Sequence, residues 1–115
     1  MMICLGLICC LSYFSILSGR FVSISGGTVH SLALKSDGTL WACGNNFSGC
    51  LGDGTVEDKL SLVQVGTNFK TISAGYLYSL GVKTDGSLWA WGLNTKGQLG
   101  DNTNENRLIP TQIGQ

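Results

Sequence analysis

The stretch Ser-Leu-Gly-Val-Lys-Thr-Asp-Gly-Ser-Leu-Trp-Ala-Trp-Gly, residues 79–92, decides the fold because residues 31–44 repeat it in closely similar form. In each copy an Asp-Gly pair separates two runs of apolar and β-favouring residues. This is a strong hairpin signal, since glycine adopts positive φ where the chain must reverse. We therefore predict antiparallel hairpins with turns at Asp37-Gly38 and Asp85-Gly86.

The similarity extends outward from these hairpins into an internal repeat. Residues 21–67 align with residues 69–115 without a gap, and 23 of the 47 pairs are identical. A fixed period of 48 residues indicates one supersecondary unit used twice. We assign one repeat to residues 21–68 and the second to residues 69–115, and each is too short to bury a core alone.

Each unit carries four segments with the composition of short β-strands. We predict strands at residues 21–25, 31–35, 39–43 and about 62–65 in the first unit, and at residues 69–73, 79–83, 87–91 and 111–113 in the second.

The faces of these predicted strands indicate how the sheets pack. Leu40 and Ala42 point to one face while Trp41 and Cys43 point to the other, and neither pair is polar. A sheet that is covered on both faces at a period of 40 to 50 residues is typical of a β-propeller blade. The predicted fold is all-β, with two four-stranded antiparallel blades of a partial propeller.

Charge and cysteine content exclude several kinds of site. Seven basic residues balance seven acidic ones, so the chain lacks the positive footprint that nucleic-acid binding needs. Cys43 and Cys50 are replaced by Trp91 and Gln98 in the second unit, so no disulfide framework repeats, although a Cys43–Cys50 bridge stays an open alternative. We expect no nucleic acid, metal or cofactor as a ligand.

Residues 1–20 precede the repeat, and the first nineteen carry no charged side chain. Three interpretations stay open for residues 1–19: a signal peptide, a membrane anchor, or the translated edge of a truncated repeat array. Secretion or membrane contact is expected only under the first two.

Four motifs of the second unit resemble the repeat of the regulator-of-chromosome-condensation family. They are Ile72-Ser-Ala-Gly, Tyr78-Ser-Leu, Asp85-Gly-Ser-Leu-Trp-Ala-Trp-Gly and Asn94-Thr-Lys-Gly-Gln-Leu-Gly-Asp. The compact 48-residue repeat is more similar to the repeats of bacterial members. The resemblance implies a seven-bladed propeller in a complete member, and it implies either nucleotide exchange on the small GTPase Ran with nucleosome binding or, in bacterial and plant members, protein binding. Catalytic exchange residues cannot be matched to these two repeats.

The polar residues of the repeat are interpreted as structural. Asp37 and Asp85 belong to turns, and the recurring loop carboxylates form no acid–base pair: Asp53, Glu57, Asp101 and Glu105. The glycine-rich segment 49–54 lacks the Gly-Lys-Ser of a phosphate loop. The three tryptophans are expected in the core, with Trp41 and Trp89 in equivalent buried sites.

The loop before each hairpin differs between the copies, with Thr28-Val29-His30 against Tyr76-Leu77-Tyr78. Tyrosines in such loops are rigid, amphipathic contact groups. We predict His30, Tyr76 and Tyr78 as partner-binding residues of a non-catalytic protein-interaction module. The alternative is an exchange factor for a small GTPase. The two outer blade faces have no neighbouring blade to cover their apolar side chains, which also predicts self-association.

Overall fold

The computed structural model describes residues 19–114, and within this range it contains eight strands and no helix. The predicted N-terminal signal or anchor therefore lies outside the described residues, apart from its last residue, Gly19. The strands are β1 Phe21–Gly26, β2 His30–Lys35, β3 Leu40–Gly44, β4 Lys59–Gly66, β5 Phe69–Ala74, β6 Tyr78–Lys83, β7 Leu88–Gly92 and β8 Arg107–Ile113.

Two separate four-stranded sheets form, with the orders β1-β2-β3-β4 and β5-β6-β7-β8. Every pairing is antiparallel between sequence neighbours, so each sheet is a meander. The predicted all-β fold of two four-stranded blades is confirmed. We call the first sheet blade 1 and the second blade 2.

Both predicted hairpin turns are present. Gly38 and Gly86 have φ of 85° and 87°, a conformation that side chains with a Cβ rarely adopt. The carboxylate of Asp37 accepts hydrogen bonds from the backbone N–H and the hydroxyl of Thr39, and Asp85 accepts the same pair from Ser87. Each aspartate therefore holds its own turn.

The last strand of each blade is longer than predicted. β4 and β8 begin where Lys59 pairs with Gly44 and Arg107 pairs with Gly92, several residues before the apolar stretch that indicated them. Backbone pairing extends these strands regardless of side-chain polarity. Pro110 is tolerated in β8 because this strand lies at the edge of its sheet.

The core lies in the seam between the blades. Leu32, Leu34, Leu40 and Ala42 of blade 1 form one buried cluster with Leu51, Phe69 and Trp91. The Phe69 and Trp91 rings meet edge to face with centroids 5.9 Å apart. The two units thus bury against each other the surface that neither could bury alone.

The prediction of buried Trp41 and Trp89 is wrong in one respect. Their sites are equivalent, but both are half-buried. In each, the indole N–H donates to the hydroxyl two residues earlier, and a lysine ammonium, Lys35 or Lys83, lies over the ring at 4.2 or 3.9 Å. A charged neighbour needs water, so this end of the blade stays partly open, and Trp91 takes the fully buried position.

Candidate interaction surface

The β1–β2 and β5–β6 loops and the long connectors after β3 and β7 lie at the same end of the two sheets. We call this the loop end. Backbone bonds join its parts: Val29 O accepts from Asn45 N at 2.9 Å, and Gly75 O accepts from Thr28 N at 3.3 Å. The variable loops therefore form one continuous surface.

The three predicted partner-binding residues lie in different environments on this end. Tyr76 is 62% exposed at the tip of its loop. Tyr78 is half-buried, with its ring packed so closely on Gly75 that a Cβ there would lie 2.6 Å from Tyr78 Cζ. His30 is only 3% exposed. Tyr76 is thus the member of the set that presents most of its side chain to solvent.

Phe47 is a second exposed aromatic residue at the loop end, and it was missed by sequence reasoning. Ser48 Oγ, next to Phe47, donates to Leu77 O, next to Tyr76, at 3.0 Å. This bond ties the loops that carry the two aromatic rings. The signal that could have identified Phe47 is an apolar residue in a polar connector, where the second unit has Thr95.

His30 belongs to a buried hydrogen-bond chain that crosses the seam. Its Nε2 lies 2.9 Å from Ser79 Oγ, and Ser79 Oγ donates to Cys50 O at 2.8 Å. Because the hydroxyl proton is used on a carbonyl, Nε2 must carry a proton and donate it to Ser79. His30 Nδ1 is then a buried acceptor that has no hydrogen-bond partner among residues 19–114.

This arrangement does not activate Ser79. A serine nucleophile needs a base that accepts its proton, whereas His30 donates to Ser79 and the serine proton points at a carbonyl. Burial lowers the pKa of His30 below its ordinary value, which keeps the imidazole neutral. The pair therefore acts as a structural link between the blades.

The loop carboxylates also act on structure. Asp53 Oδ1 accepts from Asn46 Nδ2 and from Thr55, and Asp101 repeats these contacts with Asn94 and Thr103. The Thr103 hydroxyl and then the Arg107 guanidinium, which is 2.7 Å from Asp101 Oδ2, hold the pKa of Asp101 well below its usual range. A carboxylate held ionised in this way is unsuited to donating a proton at neutral pH.

Buried asparagines hold the connectors in place. Asn46 donates through Nδ2 to the carbonyls of Thr55 and Glu57 and accepts from Leu51 N through Oδ1. Asn94 makes the equivalent bonds in the second unit. The connector that carries Phe47 is therefore anchored by a side chain next to it.

Cys43 and Cys50 are free thiols, so the alternative of a bridge between them is not realised. Burial raises the pKa of the Cys50 thiol, which disfavours the reactive thiolate. No group of three or more metal-ligating side chains occurs among residues 19–114. Within the same range the chain has no helix of the length and apolarity that crossing a bilayer requires.

Comparison with known proteins agrees with this architecture. A profile described as "Regulator of chromosome condensation (RCC1) repeat" matches residues 85–115, and a second profile of the same description matches residues 21–50 and 69–98. The chain belongs to the regulator of chromosome condensation (RCC1) repeat family. The predicted family is confirmed, and the matched stretches contain both Asp-Gly hairpins.

Solved structures carry the same two-blade arrangement. Human WBSCR16 matches with a TM-score of 0.76 at 27% identity, over 84% of this chain and 26% of its own. Prp20p of Saccharomyces cerevisiae matches with a TM-score of 0.72 at 26% identity, over the same shares. Prp20 was also solved with Kap60 bound, as yeast RCC1, and that structure gives the same score and identity, over 84% of this chain and 25% of its own. A search of curated protein sequences finds no significant match. This chain spans about a quarter of the length of these solved relatives.

Proposed function

We propose that this RCC1-repeat chain is a non-catalytic protein-interaction module that supplies two blades to a larger propeller. The observation that carries the proposal is the pair of exposed aromatic residues, Phe47 and Tyr76, on tied loops at the loop end. Exposed aromatic anchors on such loops are the usual source of binding energy in protein interfaces.

The backbone around these anchors is already ordered. Gly75 N donates to Tyr78 O at 2.8 Å, and Leu77 O accepts from Leu93 N at 2.9 Å, so the loop that carries Tyr76 is closed on both sides. Ordered loops lose less conformational entropy when a partner binds. The balanced charge of the chain supports recognition by shape and apolar contact over electrostatic steering.

The solved relatives support a protein as the partner. Prp20p was described together with its binding to Gsp1p and histones, and yeast RCC1 was solved with Kap60 bound. These partners belong to those proteins. For this chain we propose only the class of partner, a folded protein surface with a cavity for an aromatic side chain.

The test uses quantitative affinity purification with the chain as bait, followed by a Kd for the enriched protein. Tyr76→Ala and Phe47→Ala should each weaken binding by about tenfold or more, as expected for aromatic anchors. Tyr78→Ala should weaken it less, because that side chain is only partly exposed. Lys96→Ala, a charged and exposed position at the same end, is the matched control.

If Lys96→Ala causes the largest loss of affinity and binding is lost at high salt, the partner binds through an electrostatic surface and not through the two aromatic residues. Equal binding by all four variants would place the partner site elsewhere.

A second function, nucleotide exchange on a small GTPase, is favoured by the similarity to Prp20p and its described binding to Gsp1p. It is tested by release of a fluorescent guanine nucleotide from a preloaded Ran-type GTPase. Faster release with the wild-type chain, lost on Tyr76→Ala, would establish exchange. An unchanged release rate leaves the interaction module as the function.

A further inference from the structure

The face of blade 1 that points away from blade 2, here called the leading face, exposes apolar side chains that are covered in the second unit. Phe21 is 47% exposed, whereas its repeat counterpart Phe69 is 2% exposed in the seam. Ile24 and Leu60 are likewise exposed. Their counterparts are half-buried: Ile72 packs on the core cluster and Leu108 packs against Gly49 of blade 1.

The face of blade 2 that points away from blade 1, here called the trailing face, shows the complementary difference. Leu88 is 41% exposed, whereas its counterpart Leu40 is fully buried in the seam. Leu80 and Val82 are half-buried, whereas Leu32 and Leu34 at the same repeat positions are buried. Each outward face thus carries one side of the apolar contact that the seam already makes.

The polar contacts of the seam have counterparts on the same faces. Across the seam, Ala74 N donates to Ser25 Oγ and Ser79 Oγ donates to Cys50 O. Ser73, at the repeat position of Ser25, lies in blade 2, and Ser31, at the position of Ser79, is exposed on blade 1. The hydroxyl groups needed to repeat both bonds are therefore present, one on each outward face.

We propose that the trailing face of one copy of this chain binds the leading face of a second copy, in a contact that repeats the seam. The occupant is a second copy because Phe21, Ile24 and Leu60 of the leading face repeat, at the same spacing, residues of the blade 2 surface that already fits blade 1. This contact is heterologous, since two different surfaces meet, and it leaves one free face at each end of an open assembly.

In an assembly of the 115-residue chain, each copy adds the two blades described here. A closed ring must contain an even number of blades, and propellers have about four to eight. Two blades correspond to 26% of the length of the solved relatives, so a turn of similar curvature takes about three or four copies. We expect a ring of six or eight blades.

One position makes the contact between copies weaker than the seam. Trp91 fills the seam completely buried, but the leading face has Cys43 at that repeat position. Trp91 lies against Gly52, and the equivalent place on the trailing face is Gly100. A cysteine at this position does not fill the space that the indole occupies in the seam. Cys43→Trp should therefore lower the dissociation constant of the assembly by about tenfold or more.

The test is sedimentation velocity on the 115-residue chain and on three apolar-to-lysine variants. Ile24→Lys blocks the leading face and Leu88→Lys blocks the trailing face, and both positions are exposed, so the blades themselves should fold. Val56→Lys is the matched control, because Val56 is an exposed apolar residue in the connector between β3 and β4 and belongs to no strand of either outward face.

Wild type and Val56→Lys should sediment as three or four copies, and each blocked variant alone as a monomer. An equal mixture of the two blocked variants should give a one-to-one dimer, since each supplies the face that the other lacks. This dimer separates a head-to-tail contact from non-specific aggregation.

The proposal is overturned if wild type is monomeric or if either blocked variant assembles alone. It is also overturned if the mixture stays monomeric or if Cys43→Trp does not lower the dissociation constant of the assembly. Circular dichroism of each variant excludes unfolding as the cause. The readout is mass and not partner binding, so this proposal and the protein-interaction function can fail separately.

Discussion

The two connectors share many hydrogen bonds at equivalent repeat positions, whereas the two blades differ in how deeply equivalent face residues are buried. Asn46 and Asn94 make the same hydrogen bonds in their own connectors, with the contacts to Asp53 and Asp101 both at 3.0 Å. Identical face residues differ: Leu40 is fully buried, whereas Leu88 is exposed. The bonds of Asn46 and Asn94 stay within their own units, but a face acquires its environment from the neighbouring blade. Repeated sequence therefore guarantees repeated local structure and not repeated burial.

The largest effect that would test this comparison is at Trp91. Trp91→Ala should lower the free energy of unfolding by about 3 to 5 kcal/mol, because it empties a large and fully buried site. Trp89→Ala, two residues away but half-buried, should cost clearly less. Chemical denaturation in dilute solution measures both, and equal losses would mean that the fully buried site in the seam contributes no more than the half-buried site of Trp89 beside Lys83.

The sharpest matched pair is Leu40→Ala and Leu88→Ala, identical residues at the same repeat position. Leu40→Ala should cost about 2 to 5 kcal/mol through lost burial and the cavity it leaves. Leu88→Ala should cost about 1 kcal/mol or less, as expected for a partly exposed site. Comparable losses in denaturant titrations at low protein concentration would contradict the difference between the faces.

The connectors should behave in the opposite way. Asn46→Ala and Asn94→Ala each leave buried backbone groups without partners, at a cost of about 2 to 3 kcal/mol. Because the bonds are the same in both units, we expect the two losses to agree within about 0.5 kcal/mol. A large difference in unfolding free energy between the two variants would show that the connectors also depend on the neighbouring blade.

The smallest effect is a pH dependence carried by His30. Burial lowers its pKa in the folded chain below the ordinary value of 6.5, so the unfolded chain takes up the proton first as the pH falls. Stability should be full above pH 6.5 and decline as the pH falls from 6.5 towards the lower folded value. His30→Gln should flatten this slope between pH 7 and pH 5, because the sequence contains no other histidine.

An unchanged slope in His30→Gln, measured by denaturant titration at each pH, would remove His30 from the seam. The corresponding position in blade 2 is Tyr78 and not a second histidine, so the effect belongs to blade 1 alone.

Structural features that depend on hydrogen bonds between residues close in sequence could be predicted from the sequence alone. The turns at Asp37-Gly38 and Asp85-Gly86 follow from side chains that bond two residues away and glycines that accept positive φ. The family and the four-stranded blades follow from the same repeated motifs. The strand ends of β4 and β8 were missed because backbone pairing, not side-chain pattern, extends them.

Features that depend on contacts between distant parts of the chain were decided by the tertiary structure. Trp89 and Trp91 lie on the same face of one strand, and only the approach of blade 1 buries Trp91 completely. Trp89 stays half-buried beside Lys83. His30 becomes buried because Ser79, 49 residues later, meets it across the seam. Side-chain alternation within a strand determines which face a residue occupies, whereas the neighbouring blade determines whether that face is covered.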